Sequence, residues 1–260
     1  MADYVEVEDA RDLPGLRLVL TAGVPGPWGE AAKGLFHVKK IRYVRVRQSA
    51  GLPNEALLEW TGHDNAPIAV YEHEKPRSVW TEIIWLAERL APEPALVPGD
   101  PGERARMFGL IHEIAGEGGL AWQRRLMMFH QVLSLPRDAV GSAYDIVAGL
   151  GRKYGYEPAL AEAAPERAAA ILRLLAATLA SQRERGSETF LGDCLTALDL
   201  YWAAFAALVA PLPEELCPMP PMIRKQYQVS DPVLAAALDP ALLEHRDRTY
   251  QNHLELPVDV

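Results

Sequence analysis

The sequence predicts an α+β fold in which a small mixed domain precedes an all-helical domain. Two observations carry this prediction. Within the first 47 residues the apolar positions change period twice, from strand to helix and back to strand. After four prolines between Pro92 and Pro101, helical patterns continue without strands. We therefore expect an N-terminal extension over 1–13, a mixed domain over 14–91, a linker over 92–103 and a helical domain over 104–260.

Composition and charge bound the class of protein. The 260 residues are 49% hydrophobic, which is typical of a globular protein with a substantial core. A formal charge of -9 opposes binding to nucleic acid or to an anionic membrane surface. The two cysteines, Cys194 and Cys217, are too few for a disulfide framework and too far apart for a metal site. With no signal peptide or bilayer-length apolar run, we expect a cytoplasmic protein without a bound metal.

The mixed domain is predicted element by element. Residues 16–20 form a short apolar strand that ends in a turn rich in glycine and proline, and residues 30–38 place apolar positions at helical spacing. Residues 41–47 are rich in β-branched side chains and predict a second strand. A third strand follows Pro67, a weak return strand covers 74–77, and an amphipathic helix covers 78–90. This order is that of a thioredoxin-like domain.

Four segments in this order resemble the glutathione S-transferase superfamily, and the resemblance spans most of the chain. They are the turn and helix start at 26–33, the proline-led strand at 65–70, the helix end at 85–94 and the linker at 96–106. The resemblance implies glutathione as co-substrate, a homodimer and a cis peptide bond before Pro67. It also implies that the cysteinyl backbone of glutathione pairs with Ala66. The glutathione-binding residues are then expected to be Gly26, Trp28, Ala66, Pro67, Arg77 and Ser78.

The expected glutathione-binding residues depart from the family pattern in two ways. Gly26 occupies the position where relatives carry a serine or cysteine, so the group that activates sulfur is unassigned. Backbone amides at the helix start and the hydroxyl of Thr21 are the alternatives. The acidic residue that normally binds the γ-glutamyl amine is also missing, because the matching pair falls on Ser78 and Val79 or on Arg77 and Ser78. In the second register Arg77 would bind a carboxylate instead.

The helical domain contains helices predicted over 104–114, 121–133, 142–154, 165–183 and 198–209. Three glycines within 116–119 interrupt the first pair. The resemblance implies that the second-substrate cleft lies along this pair of helices. The alternative is that the same side chains form an interdomain salt-bridge network. The side chains in question are Glu113, Glu117, Trp122, Arg124 and Arg125. Thr196 and Asp199 are expected to form a structural capping box, with Cys194 packed nearby. The charged segment 244–250 is either a solvated helix face or an element that closes the cleft.

Three functions remain open from the sequence. The favoured one is a glutathione transferase that conjugates or cleaves a small aromatic or acidic electrophile. The second is a glutathione- or ligand-binding protein without turnover, which the absence of a side chain at Gly26 favours. The third is an assembly or regulatory protein that uses the fold as a dimerisation scaffold. All three expect a small-molecule ligand or a second copy of the chain as the partner.

Overall fold

The computed structural model describes residues 3–260, in which a three-stranded sheet is followed by helices only. The strands are β1 (Leu16–Thr21), β2 (Tyr43–Gln48) and β3 (Ile68–Tyr71), in the order β2–β1–β3. β1 runs parallel to β2 and antiparallel to β3. The helices are α1 (Val7–Ala10), α2 (Pro27–Val38), α3 (Glu55–Thr61), α4 (Trp80–Leu90), α5 (Pro101–Ala115), α6 (Leu120–Leu133), α7 (Arg137–Val140), α8 (Ala143–Lys153), α9 (Pro158–Arg183), α10 (Ala197–Phe205), α11 (Pro221–Tyr227), α12 (Pro232–Ala237) and α13 (Pro240–His253).

Both faces of the sheet are covered, since successive side chains of a strand point to opposite faces. Leu18 and Leu20 of β1 pack in the large core with α2 and α4. Val19 packs in a smaller core with α1 and α3 on the other face. Residues expected only as an extension thus join the sheet domain, and Val5 also forms an isolated bridge with Val46.

The predicted return strand at 74–77 is reduced to one isolated bridge between Ala69 and Arg77. The backbone N–H of each of these residues donates to the carbonyl of the other at 2.9 Å. Pro76 has no N–H to extend the ladder. The antiparallel edge therefore stops after one pair, and α4 begins at Trp80 rather than Ser78.

The apolar helix α10 joins the two parts of the molecule, since it packs against α2, α5 and α13. Its start contains the expected capping box: the backbone N–H and the hydroxyl of Thr196 both donate to Asp199 at 2.8 Å. His245 of α13 also bonds Asp199, at 2.9 Å. Only one side of the charged segment 244–250 is solvated: Glu244 is exposed, whereas His245, Arg246, Thr249 and Tyr250 are buried. None of its residues lines the cavity between the sheet domain and the helices, so the segment does not close a cleft.

Smaller differences concern helix limits and one cysteine. Pro165 lies inside α9, which begins at Pro158, so it does not start that helix. Residues 206–208 continue α10 as one 3₁₀ turn. Cys194 is exposed, not packed, whereas Cys217 is buried, and both thiols are free. Among residues 3–260 no helix combines the length and apolar character needed to cross a bilayer.

Candidate functional site

A cavity of about 440 Å³ separates the sheet domain from the helices, and we call it the central cavity. One wall is formed by the end of β1, the turn into α2, and the loops that follow β2 and precede β3. The opposite wall is formed by α6, α8 and the residue that ends α11. The volume lies in the range of about 300–1,000 Å³ that is common for small-molecule sites.

The start of α2 points unpaired amides at this cavity. Gly26 is the N-cap residue, Pro27 is the first helical residue, and no side chain caps the turn. The N–H groups of Trp28 and Gly29 have no acceptor among residues 3–260. Free amides and the helix dipole favour an anion at this position.

The residue before β3 faces the same cavity. The Ala66–Pro67 peptide bond is cis, as expected. Ala66 lines the cavity, and its N–H and carbonyl have no hydrogen-bond partner among the described residues. An extended ligand backbone could therefore pair with both groups.

The ring of Trp28 is fixed between the two parts of the chain. Its Nε1–H donates to the carbonyl of Ala115 at 3.0 Å. Its ring meets Phe205 edge to face, with the centroids 5.0 Å apart. The Cζ of Arg125 lies over the ring, 4.5 Å from its centroid. Trp28 thus forms a rigid part of the cavity wall.

Two of the hydroxyl groups that line the cavity, those of Thr21 and Tyr227, differ in what they can donate. The Thr21 hydroxyl donates to Oε1 of Gln48 at 2.7 Å, so its proton is already engaged. Tyr227 at the end of α11 has no hydrogen-bond partner for its hydroxyl among the described residues. Burial raises the pKa of Tyr227 to about 12, against the opposing charge of Arg125, so the phenol stays protonated at neutral pH. Tyr227 is therefore a free donor.

One cavity carboxylate lies beside the helix start. Burial raises the pKa of Glu30, and the opposing contribution comes from Lys33, whose Nζ lies 2.9 Å from its carboxylate. Lys33 also donates to the carbonyl of Asp259, at 2.6 Å. This ion pair neutralises Glu30 in the first turn of α2. The electrostatic repulsion between Glu30 and an anion bound at the helix start is therefore reduced.

The mouth of the cavity is narrowed by α8. Nζ of Lys153 lies 2.6 Å from Oδ1 of Asp64, in the loop before β3. Gly51 has φ of +73°, and a Cβ there would lie only 2.9 Å from a methyl carbon of Ile146. The left-handed backbone and this close approach both require glycine.

Structural comparisons bear on this architecture. A glutathione S-transferase from Methylobacterium radiotolerans, in complex with glutathione sulfonate, superposes with a TM-score of 0.62 at 14% identity, covering 91% of each chain. A glutathione S-transferase domain-containing protein from Marinobacter aquaeolei gives 0.62 at 17% identity, covering 91% of this chain and 98% of that one. A glutathione transferase family member from Pseudomonas fluorescens, with two glutathione bound, gives 0.60 at 13% identity and covers 94% and 90%. This chain has the glutathione transferase fold.

The sequence comparisons add no closer relative. No family model matches the chain, and no curated protein matches it. The glutathione transferase fold is thus shown by structure alone, at identities too low to carry over an activity.

The structure brings four of the predicted site residues to the central cavity: Gly26, Trp28, Ala66 and Arg125. Pro67 lies outside the lining. Arg77 also lies outside, and its guanidinium donates to Glu74 at 2.6 Å, so it is not free to bind a ligand carboxylate. Ser78 lies 3.3 Å from Nε2 of His63 and does not cap α4.

The predicted second-substrate cleft is only partly present. Glu113 pairs with Arg167 of α9, and Glu117 is exposed without contributing to the cavity. Arg124 is buried on another side of α6, outside the cavity lining, where it donates to the carbonyls of Leu208 and Gln226 at 2.8 and 3.0 Å. Trp122 lies behind the lining, in contact with Arg125. The expected network of these residues across the domains is therefore wrong.

The glycines between α5 and α6 serve the turn itself. A Cβ on Gly119 would lie 2.7 Å from the carbonyl oxygens of His112 and Glu113. The close approach is thus to the end of α5, not to a ligand or the other domain. Sequence reasoning also missed α8 and Tyr227 as parts of the wall. The tyrosine at a helix end and the polar loop at 62–65 were the available signals.

Proposed function

We propose that this protein binds glutathione in the central cavity and uses the thiol to attack a small electrophile. The observation that carries the proposal is the pairing, across one cavity, of an open backbone at Ala66 with unpaired amides at the start of α2. The first suits the cysteinyl backbone of a peptide ligand. The second suits the developing negative charge on its sulfur.

The sulfur needs a donor because a thiol with a pKa of about 8.5 is mostly protonated at neutral pH. Gly26 supplies no side chain, and the Thr21 proton is engaged with Gln48. We assign the donor role to the Tyr227 hydroxyl, together with the amides of Trp28 and Gly29. A neutral phenol donates without competing for the thiol proton.

The direct test is titration of the glutathione thiol in the complex. Calorimetry measures the affinity, and ultraviolet difference spectroscopy of the thiolate measures its ionisation as the pH rises. We expect bound glutathione to ionise well below the pKa of the free thiol. We expect Tyr227→Phe to reduce conjugation of 1-chloro-2,4-dinitrobenzene about tenfold and to raise the thiol pKa, while the affinity for S-methylglutathione is kept.

A second candidate function is supported by one observation: the turn at Gly26 carries no hydroxyl or thiol. In that case the protein holds glutathione without turnover. Tight binding combined with an unshifted thiol pKa and no conjugation would establish this function and reject the transferase. Failure to bind glutathione at all would reject both.

We also propose an oligomeric state and a cellular location. Trp85 stacks on Phe108 at 5.7 Å, and both Trp85 and Val79 are about half exposed, which supports a homodimer through α4 and α5. Light scattering should then give twice the chain mass, and Trp85→Glu should give the monomer. The two free thiols support a reducing compartment such as the cytoplasm. The net charge of -9 supports partners other than nucleic acid or membranes.

A further inference from the structure

Arg125 is enclosed by three aromatic rings at the wall of the central cavity. Its Cζ lies 4.5 Å from the ring centroid of Trp28, 5.2 Å from that of Trp122 and 4.1 Å from that of Tyr154. The rings support one another, since Trp122 meets Tyr154 edge to face at 5.9 Å. We call Arg125 and these rings the arginine cage. The cage connects the start of α2 with α6 and the end of α8.

The guanidinium of the cage has no hydrogen-bond acceptor and no carboxylate partner among residues 3–260. The other charged side chains that line the cavity are all paired. Glu30 pairs with Lys33, Asp64 with Lys153, and Asp145 with Arg137. Arg125 therefore contributes the uncompensated charge of the cavity.

A partly buried cation without an anion is unfavourable unless something compensates it. Stacking on aromatic faces supplies part of that compensation. Burial lowers the pKa of Arg125, because the cavity wall desolvates its charged form. Aromatic rings stack on the faces of a guanidinium and leave its N–H edge free. That edge can donate hydrogen bonds to both oxygens of a carboxylate at once.

We propose that the arginine cage binds the carboxylate of the second substrate, so that the protein selects electrophiles that carry a carboxylate beside an unsaturated or aromatic group. The inference rests on the proposed function and names its substrate class. In a conjugate addition, the sulfur of the glutathione thiolate forms a C–S bond to the alkene carbon, and the C=C π bond breaks. The resulting enolate takes a proton from water, and no oxidant or reductant is needed.

Glutathione also carries anionic groups, and its thiolate or a carboxylate is the competing occupant of the cage. The two sources separate in a matched pair of electrophiles, trans-3-benzoylacrylate and its methyl ester. They differ in the carboxylate, whereas glutathione is common to both reactions. If the cage bound glutathione, loss of Arg125 would slow both probes equally and change the thiol pKa or the affinity for glutathione.

The experiment compares wild type with Arg125→Gln, Arg125→Lys and the control Arg152→Gln. Arg152 is exposed on α8 and does not line the cavity, so the control removes the same charge from the same region. We expect Arg125→Gln to lower kcat/KM for the acid about 10- to 100-fold and for the ester less than about twofold. Arg125→Lys should restore part of the loss. Circular dichroism and the melting temperature verify that the variants are folded.

Binding is measured separately from turnover with 3-benzoylpropionate, which keeps the carboxylate and the ring but lacks the alkene. Calorimetry should show that Arg125→Gln weakens this ligand by a similar factor. If wild type binds 3-benzoylpropionate through Arg125 but conjugates neither probe, the transferase proposal is rejected. The arginine cage is then still supported as a carboxylate-binding site. If the acid and ester respond alike to Arg125→Gln, or 3-benzoylpropionate binding does not depend on Arg125, the anion site is rejected.

Discussion

Arg124 and Arg125 are adjacent in sequence but have opposite roles on different sides of α6. Arg124 is fully buried, and its guanidinium is satisfied by the carbonyls of Leu208 and Gln226. Arg125 lines the central cavity with aromatic rings on its faces and no anion beside it. A buried charge whose partners are all supplied by the chain supports the fold. A partly buried charge at a cavity wall whose partner is missing indicates a ligand.

We expect the largest loss of stability at Asp199, a buried anion whose hydrogen-bond donors all come from the chain itself. Asp199 accepts from the backbone of Phe190 and Thr196, from the Thr196 hydroxyl, and from His245. Asp199→Ala leaves these donors unpaired and should cost about 4 kcal/mol of unfolding free energy. Urea denaturation followed by circular dichroism measures it. A cost under about 1 kcal/mol would show that the capping box is dispensable.

Arg124→Met should have the next largest effect. The substitution keeps the apolar stem but leaves two buried carbonyls without donors, at a cost of about 3 kcal/mol. Thermal and urea unfolding measure the loss. Binding of 3-benzoylpropionate by the fraction that remains folded should be unchanged, and a loss of that binding would break the contrast between the two arginines.

Arg125→Met should change stability by no more than about 1 kcal/mol. The lost ring contacts are offset by removal of an unpaired, partly buried charge, and satisfied hydrogen bonds are not broken. The same denaturation series measures this value beside Arg124→Met. A cost equal to that of Arg124→Met would make Arg125 a structural residue and would remove the reason to look for an anion.

The smallest expected effect concerns the ion pair at the mouth of the cavity. The hydrogen bond from Lys153 lowers the pKa of Asp64 from its ordinary 3.8, against the desolvation that raises it. The pair therefore adds stability above that pH and loses it as the pH falls through the lowered pKa. Both side chains are more than a third exposed, so Lys153→Met should cost about 0.5 kcal/mol or less near pH 7.

This last difference should shrink as the pH is lowered below 3.8. Arg152→Met serves as the control because Arg152 is an exposed neighbour on the same helix. A Lys153→Met cost that persists unchanged in acid would show that packing of α8, not charge, closes the mouth.

The sequence predicted the architecture because its signals are local. The change of apolar period at Glu30, the proline before β3, and the Thr196–Asp199 spacing each specify a short element whatever surrounds it. The return strand failed because one proline decides whether an edge ladder continues. The sequence predicts the start of α9 at Pro165, seven residues after the true start at Pro158, because both prolines suit the first turn of a helix.

The site was harder to predict because its residues depend on tertiary contacts. Two adjacent residues of a helix point about 100° apart, so a shared prediction for Arg124 and Arg125 could not hold. Arg77 forms an ion pair with Glu74, and the Thr21 hydroxyl donates a hydrogen bond to Gln48. No sequence motif predicts either contact. Tyr227 and α8 reach the cavity from more than a hundred residues after the Gly26 turn.

A crystal structure with the conjugate of glutathione and trans-3-benzoylacrylate tests the central claim most directly. We predict the sulfur at the amides of Trp28 and Gly29, the cysteinyl backbone on Ala66, and the benzoylacrylate carboxylate within about 3 Å of the Arg125 guanidinium. A conjugate bound with Arg125 on the glutathione portion, or with its added carboxylate turned to solvent, would contradict the account.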